Sequence, residues 1–222
     1  MAVWNSNGVY DGIVSKLRYI GSTGDSNATD VSSYTVSYLP SARSGDLALA
    51  MFALDEKLPT LSTPSGWTLV GNGSNTDYPR MYVFAKVLDS TDISTGSLTA
   101  TPSLTEGFTS MISIFRPYKS ISSFTPRNFV NDKGSKDLSV SLTTSGATPL
   151  TIAVAFLSGR PNQSPVLTFS VATTATDSSG SGTGTRTLGF IVYDVGETPA
   201  SATITGTVTG RQSLSAFYLD IG

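Results

Sequence analysis

The chain has 222 residues, neither cysteine nor histidine, a net charge of −2 and only 14% charged residues. Without cysteine and histidine it can form no disulfide, no thiolate or imidazole metal site and no Ser-His or Cys-His nucleophile. It also lacks a basic run, a long apolar stretch and a secretory leader pattern, so we expect no nucleic-acid partner, no membrane association and no signal peptide.

Residues 1–30 are predicted to form an N-terminal arm that includes a first strand. Aromatic residues stand here among Asn, Gly, Ser and Asp, and Ile13–Ile20 has the apolar content of a strand. One interpretation is a loose start followed by this strand. The other is an arm that docks on a neighbouring subunit, because exposed aromatic residues near a terminus need a partner surface. The candidate interface residues are Trp4, Tyr10 and Tyr19.

Residues 31–118 are predicted to be a first β half. Polar and apolar residues alternate over Val31–Leu39, as in a half-buried strand, and the continuous apolar run Leu47–Leu54 is typical of a core strand. Turn residues such as Pro64-Ser65-Gly66 separate the later segments. The set is completed by Trp67–Val70, Met81–Leu88, Leu98, Ala100 and Met111–Phe115.

Residues 119–138 carry dense charge without a clear period, which indicates a connector, and residues 139–222 then repeat the plan of the first half. Three segments of the first half recur in the second half at offsets of 103, 106 and 106 residues. Near-constant offsets in separate segments indicate an internal duplication, and so predict two internally similar halves of common origin. The matching pairs are Leu47–Leu54 with Leu150–Leu157, Arg80–Val87 with Arg186–Tyr193, and Ser97–Thr101 with Thr203–Thr207.

The predicted fold class is all-β, an antiparallel β-sandwich that is jelly-roll-like and built from the two similar halves. Short apolar segments are separated by regular turn signals, and no segment keeps the 3.6-residue period of a helix. Serine (34) and threonine (30) are abundant, as suits turns and strands. We expect the halves to pack as one domain, the alternative being two smaller sandwiches side by side.

The glutamates are the first candidates for chemistry. A glycosidase needs two carboxylates that face each other across a cleft. Glu106 and Glu197 lie in predicted loops and Glu56 follows a core strand, so nothing in the sequence places any two of them together. We therefore expect that the chain is not a glycosidase or any other enzyme, and we predict no catalytic residues.

Metal and phosphate sites are the next candidates. Calcium takes six to eight oxygen ligands, more than Asp89 with Asp92, or Asp25 with Asp30, can supply. The glycine-rich segment at 180–185 lacks the Gly-Lys-Ser/Thr ending of a phosphate-binding loop. We predict neither a metal site nor a cofactor.

Trp67 has two interpretations, a core anchor or a platform on which a carbohydrate stacks. In the second interpretation the loops 71–77 and 177–185 would meet near it at one end of the sandwich. In the second half, Phe169 takes the place that corresponds to Trp67. Because this residue is also apolar, the comparison favours the core anchor.

Four segments of the first half carry a resemblance to β-rich proteins of tailed bacteriophages and prophages. The shared sequence motifs are an apolar strand after Gly-Asp, a Pro-Ser-Gly-Trp turn and a Tyr-x-x-x-Lys strand. The resemblance covers residues 31–118 and is fainter in 139–222, where Trp and Lys are replaced. The segments are Ser44–Ala50, Pro64–Val70, Tyr82–Val87 and Ile112–Arg116.

The resemblance implies a non-enzymatic structural protein of the virion, assembled in the host cytoplasm. The leading hypothesis is a capsid decoration or cement protein that binds the head surface, with the major capsid protein as partner. Copies of the chain are expected to form a homo-oligomer, with a trimer as one arrangement. The alternative is a module of a tail fibre or baseplate that binds a receptor or a glycan.

Overall fold

The computed structural model describes residues 17–54, 60–73, 81–134, 137–143, 150–158, 166–170, 175–179, 186–193, 201–207 and 212–222. These ranges contain β-strands and one short helix, so the all-β prediction is confirmed. The elements are β1 (Leu17–Val31), β2 (Tyr34–Ser37), β3 (Leu47–Leu54), β4 (Thr68–Gly73), β5 (Met81–Val87), α1 (Ser90–Thr95), β6 (Ser97–Ala100), β7 (Glu106–Pro117), β8 (Phe124–Gly134), β9 (Leu138–Thr143), β10 (Leu150–Ser158), β11 (Val166–Phe169), β12 (Ala175–Ser179), β13 (Arg186–Tyr193), β14 (Ser201–Thr207) and β15 (Gln212–Ile221).

Two five-stranded antiparallel sheets form the centre of the molecule. The first central sheet has the order β1-β7-β3-β5-β4, and the second has the order β12-β13-β10-β15-β8. Two outer sheets, β2-β6 and β11-β14-β9, are smaller. Strands β1 to β7 form the first central sheet and the outer sheet β2-β6, and strands β8 to β15 form the second central sheet and the outer sheet β11-β14-β9. Each half of the chain therefore supplies one central and one outer sheet.

The apolar run of β3 is continuous because both faces of this strand are buried. Leu49 and Met51 belong to a cluster between the two central sheets, which we call the shared core. Their neighbours Ala50 and Phe52 belong to a second cluster, which contacts the outer sheet β2-β6. Strand β10 has the same arrangement in the second half. A central strand covered on both faces has no polar alternation, and the sequence pattern reflects this.

The shared core joins the two halves of the chain. Its members come from β1, β3, β4, β5 and β7 of the first half and from β10 and β15 of the second. Met51, Val83, Phe156 and Phe217 are among its residues, each with no more than 1% of its surface exposed. The outer sheets cover the other faces of the central sheets, which gives four layers of β-structure.

The strand order is the same in both halves. β1-β7-β3-β5-β4 corresponds strand for strand to β8-β15-β10-β13-β12. The segments that echo each other in sequence form β3 and β10, β5 and β13, and β6 and β14, which occupy equivalent places. The repeated order favours the predicted internal similarity, while a jelly-roll-like connectivity and a common origin of the halves stay predictions.

Two predicted positions differ from the structure. The segment around Phe169 does not replace the Trp67 strand, because β11 pairs with β14 in an outer sheet and β12 stands in the place of β4. The region 119–138 is more than a connector, since it contains β8, the last strand of the second central sheet. Partly buried Arg127 and Val130 are three residues apart, because an extra residue in β8 between them interrupts the two-residue period.

The first strand is longer than predicted. β1 pairs with β7 over most of its length, so the boundary expected at residue 30 falls within a strand. Leu17 already belongs to the shared core and is 2% exposed. Trp4 and Tyr10 lie outside the described residues.

Candidate functional site

A groove runs between β4 and β8, the outermost strands of the two central sheets, and we call it the edge groove. Its volume is about 400 Å³, at the lower end of the range of small-ligand sites. One wall comes from each half of the chain. The lining residues are Leu69, Val70, Gly71 and Asn72 of β4, and Pro126, Arg127, Asn128 and Phe129 of β8.

Both walls of the edge groove are bulged. In β4 the pairing with β5 skips Val70, and in β8 the two residues Asn128 and Phe129 lie opposite the single residue Phe217. Asn128 has a φ of 54°, and it is the non-glycine residue with positive φ in the described part of the chain. Bulges at sheet edges turn side chains toward new directions and are frequent beside functional sites. The edge groove is where the two bulges of the facing sheets meet.

Gly71 allows the two walls to approach each other. A Cβ atom built on Gly71 would lie 2.7 Å from Cε1 of Phe217 and 3.3 Å from Cβ of Val83. Any larger residue would collide with the Phe217 ring of the opposite sheet. The glycine is therefore required by the close packing of β4 on the second central sheet.

The charge of Arg127 is neutralised within the protein. Its Nη2 donates a hydrogen bond of 2.8 Å to Oδ1 of Asp220, its Nε contacts Oδ2, and Thr151 Oγ1 donates to the same carboxylate at 2.9 Å. The guanidinium carbon lies 5.8 Å from the centre of the Tyr218 ring. Burial raises the pKa of the Tyr218 hydroxyl, although the nearby arginine opposes this shift. The groove thus contains a cationic side chain whose charge is balanced by the Asp220 carboxylate.

Apolar and amide side chains supply the exposed surface of the edge groove. Leu69 is 39% exposed and Phe129 is 38% exposed, and the Phe129 ring stacks on Phe217 at 5.8 Å between centroids. Asn72 is exposed, and Asn128 Nδ2 donates a hydrogen bond to the carbonyl oxygen of Thr143. This combination can hold a ligand by apolar contact and by hydrogen bonds from amides.

A second, smaller pocket lies where β7 leaves the first central sheet. Its volume is about 280 Å³, and Tyr118 at its rim is 61% exposed. Ile121 packs beneath it against the shared core. Its lining consists of Gly45, Val87, Pro117, Tyr118, Lys119, Ser120 and Ile121.

Tyr19, one of the three predicted interface residues, contacts its own chain. Its ring lies 5.6 Å from the Phe115 ring, and its hydroxyl is 2.7 Å from Oγ of Ser22. Trp67 is buried at 7% exposure in the cluster beneath the outer sheet, which agrees with a core anchor.

Asp89 and Asp92 cap the helix α1. Asp89 Oδ1 accepts hydrogen bonds from the backbone N–H groups of Thr91 and Asp92, and Asp92 Oδ2 accepts from the backbone of Asp89. Lys86 Nζ donates to Asp92 at 2.7 Å. Both aspartates therefore serve the helix terminus as capping residues.

The other predicted candidates for chemistry stay apart or outside the described residues. Asp25 and Asp30 are exposed on β1, while Glu56 and Glu197 lie outside the described ranges, as does the side chain of Glu106. The part of the chain that the structure describes contains no group of three or more acidic side chains that could hold a metal ion.

The strands β4 and β12, which lead into the predicted loops 71–77 and 177–185, stop at the same end of the sandwich, at opposite edges. Gly73 at the end of β4 lies beside Ser215 of β15. Ser179 at the end of β12 belongs to the same register row as Ser213, two residues before Ser215 in β15. Residues 74–77 and 180–185 lie outside the described residues.

The edge groove was not foreseen from the sequence, although Pro126 was a usable signal. A proline within a strand points to the edge of a sheet, because it cannot donate to the ladder. The meeting of β4 with β8 depends on packing between halves and has no sequence signal.

Comparison with known proteins identifies no relative. No protein-family model matches the chain. No curated protein and no solved structure matches it either. Among the described residues no helix is long and apolar enough to cross a membrane.

Proposed function

We propose that the chain is a non-enzymatic structural protein of a bacteriophage virion, and that it decorates the capsid by binding the head surface. The observation that carries the proposal is the shared core, which joins two sandwiches of the same strand order into one four-layer body. Such a body provides a durable scaffold with edges and loops free for contacts.

The buried charges support a passive role. Asp46 is 1% exposed and accepts two hydrogen bonds of 2.8 Å from Arg116 and one of 2.9 Å from the Arg43 backbone. The hydrogen bonding of Arg116 to Asp46 raises the pKa of the Arg116 guanidinium. Asp92 and Asp220 are likewise paired with a lysine and an arginine. Each of these carboxylates is held by a cation of the same chain through charge-assisted contacts, so it serves the fold.

The position of the protein in purified particles tests the proposal directly. Cryo-EM of the virion, or immunogold labelling, is expected to show many copies over the head in contact with the major capsid protein. A few copies at the tail would favour a tail-associated binding module. Absence from the particle would contradict both virion roles.

The N-terminal arm is proposed to attach the protein to the head through Trp4 and Tyr10. Deleting residues 1–16 is expected to abolish binding to undecorated heads and to leave the fold intact. The deletion stops before Leu17 because this residue is part of the shared core. Binding is measured by co-sedimentation with heads, and the fold by circular dichroism.

The Trp4→Ala and Tyr10→Ala double variant is expected to weaken binding without any truncation, and Tyr118→Ala, an exposed aromatic elsewhere, is the matched control. A truncated protein that still decorates heads would show that the arm has no such role. Sedimentation velocity of the intact protein tests the proposed homo-oligomer, for which a trimer is one arrangement.

The second candidate function is a tail-associated module of a fibre or baseplate that binds a receptor or glycan. The edge groove favours it, because two of the large apolar side chains exposed in the described residues line one concave site. Concave sites with a few oriented polar groups are typical of small-ligand binding.

A further inference from the structure

We propose that the edge groove is a binding site for a neutral saccharide. In this site Phe129 and Leu69 cover the apolar face of a sugar ring, and the amides of Asn72 and Asn128 bind its hydroxyl groups. The proposal deepens the second candidate function and rests on it.

The groove walls exclude an added β-strand as the occupant. Strand addition needs a regular row of free N–H and C=O groups on a sheet edge. Pro126 removes one donor from β8, and the bulges at Val70 and Asn128 interrupt both edges. Proline and bulges are the features by which proteins protect sheet edges from pairing. A ligand in this groove must therefore be held through side chains.

The charge of the lining favours a neutral ligand. Arg127 is the charged residue among the eight that line the groove, and Asp220 binds it through both carboxylate oxygens. An acidic sugar or a phosphate would have to compete with Asp220 for the guanidinium. A cationic ligand would meet the arginine itself. A sugar without charge is complementary to this lining.

The apolar and amide groups match the two kinds of surface on a sugar. A pyranose ring presents C–H groups on its faces and hydroxyls around its rim. Phe129 and Leu69 are each more than a third exposed although they lie in a concave site, so they offer an apolar surface for the ring face. Amides both donate and accept, as hydroxyl groups require of their partners.

The site is held in shape before any ligand binds. Phe129 stacks on Phe217, which belongs to the shared core, and the Asn128 side chain is bound to the Thr143 carbonyl. Gly71 brings the β4 wall against the same phenylalanine. Groups ordered in advance lose less conformational entropy on binding.

Amide NMR of the intact, ¹⁵N-labelled protein tests the proposal. The probes are glucose, galactose, mannose and N-acetylglucosamine, each titrated into the millimolar range. At least one is expected to shift the amide signals of residues 69–72 and 127–129 in a saturable way. N-acetylneuraminic acid, which is negatively charged, is the matched acidic probe and is expected to bind more weakly.

Two variants and one control assign the binding to the groove. Asn72→Ala removes an exposed amide and is expected to weaken the affinity about fivefold, as loss of a ligand hydrogen bond does. Phe129→Ala is expected to weaken it tenfold or more, and its spectrum shows whether the fold persists. Leu104→Ala removes an exposed apolar side chain outside the groove and is expected to change nothing.

Several results would overturn the proposal. These are an absence of saturable shifts with all four sugars, shifts centred outside the groove, unchanged affinity in Asn72→Ala, or tighter binding of the acidic sugar. Its failure is distinguishable from that of the proposed function. A protein located at the tail without saccharide binding refutes this proposal alone, and saccharide binding by a protein absent from virions refutes the virion role alone.

Discussion

Single residues decide how closely the layers of the molecule approach each other. Gly71 has no side chain at the point where β4 meets the Phe217 ring, and Gly206 has the same role where β14 meets Leu157. Both glycines lie in strands, where glycine is otherwise unfavourable. They are explained by close approach between layers and not by backbone conformation.

Replacing Gly71 with alanine is expected to destabilise the protein by about 1–3 kcal/mol, because the added methyl group would overlap the Phe217 ring. Gly73→Ala on the same strand is the matched control, since its nearest contact would be an ordinary 3.4 Å. Urea unfolding of both variants measures the difference. Combining Gly71→Ala with Phe217→Leu should recover part of the loss, and equal costs at the two glycines would refute the steric explanation.

At the scale of elements, α1 shows how a six-residue helix is held in a β protein. Its N-cap Asp89 and Asp92 form a capping box, and Gly96 ends the helix with a φ of 74°. Lys86 of β5 binds Asp92 and ties the helix to the first central sheet. Burial, together with Asp92 and Asp89, raises the pKa of the nearby Tyr38 hydroxyl.

The Asp89 carboxylate is expected to make stability depend on acid pH. The hydrogen bond from the Asp92 backbone is the main cause that lowers the pKa of Asp89 below its usual 3.8, with Lys86 and the Thr91 backbone contributing. The pKa of Asp89 is thus lower in the folded protein than in the unfolded chain. Its carboxylate therefore stabilises the fold at pH values above the unfolded pKa, and this stabilisation is lost as the pH falls through the folded pKa.

Asp89→Asn keeps a good N-cap without the charge, so it isolates this effect. The urea midpoint of the native protein is expected to exceed that of Asp89→Asn slightly at pH 7. The gap should close as the pH falls from about 5 toward 2, a window set by the usual aspartate pKa and its lowering. A gap that stays constant with pH would show that the Asp89 charge does not contribute.

At the scale of the whole molecule, the shared core makes each half depend on the other. One face of β3 packs against residues of β10 and β15, so neither central sheet can bury both faces alone. Exposing this surface would cost far more than the few kcal/mol that separate folded from unfolded domains. We therefore expect one cooperative unfolding transition for the chain.

Hydrogen exchange of Ile204→Val tests this cooperativity. Ile204 belongs to β14 of the outer sheet of the second half and is fully buried against the second central sheet, so the change is expected to cost about 1 kcal/mol. If the halves unfold together, the slowest amides of β3 in the first half should lose about the same protection. Ile112→Val in the first half is the reciprocal variant, read at β10. Protection of β3 that does not respond would show that the halves unfold independently.

The sequence by itself determined the all-β class and the central strands. Leu47–Leu54 and Leu150–Leu157 are continuous apolar runs because both faces of each strand are covered, and their recurrence pointed to two halves of one plan. Such local patterns survive whatever the partner strands are. Only the tertiary structure decided that β8 is a strand and that it meets β4. The bulge at Asn128 breaks the two-residue period of β8, and its pairing partner β15 lies about 90 residues further along the chain. The edge groove arises where two such edges meet, and that contact depends on packing between halves instead of on any local pattern.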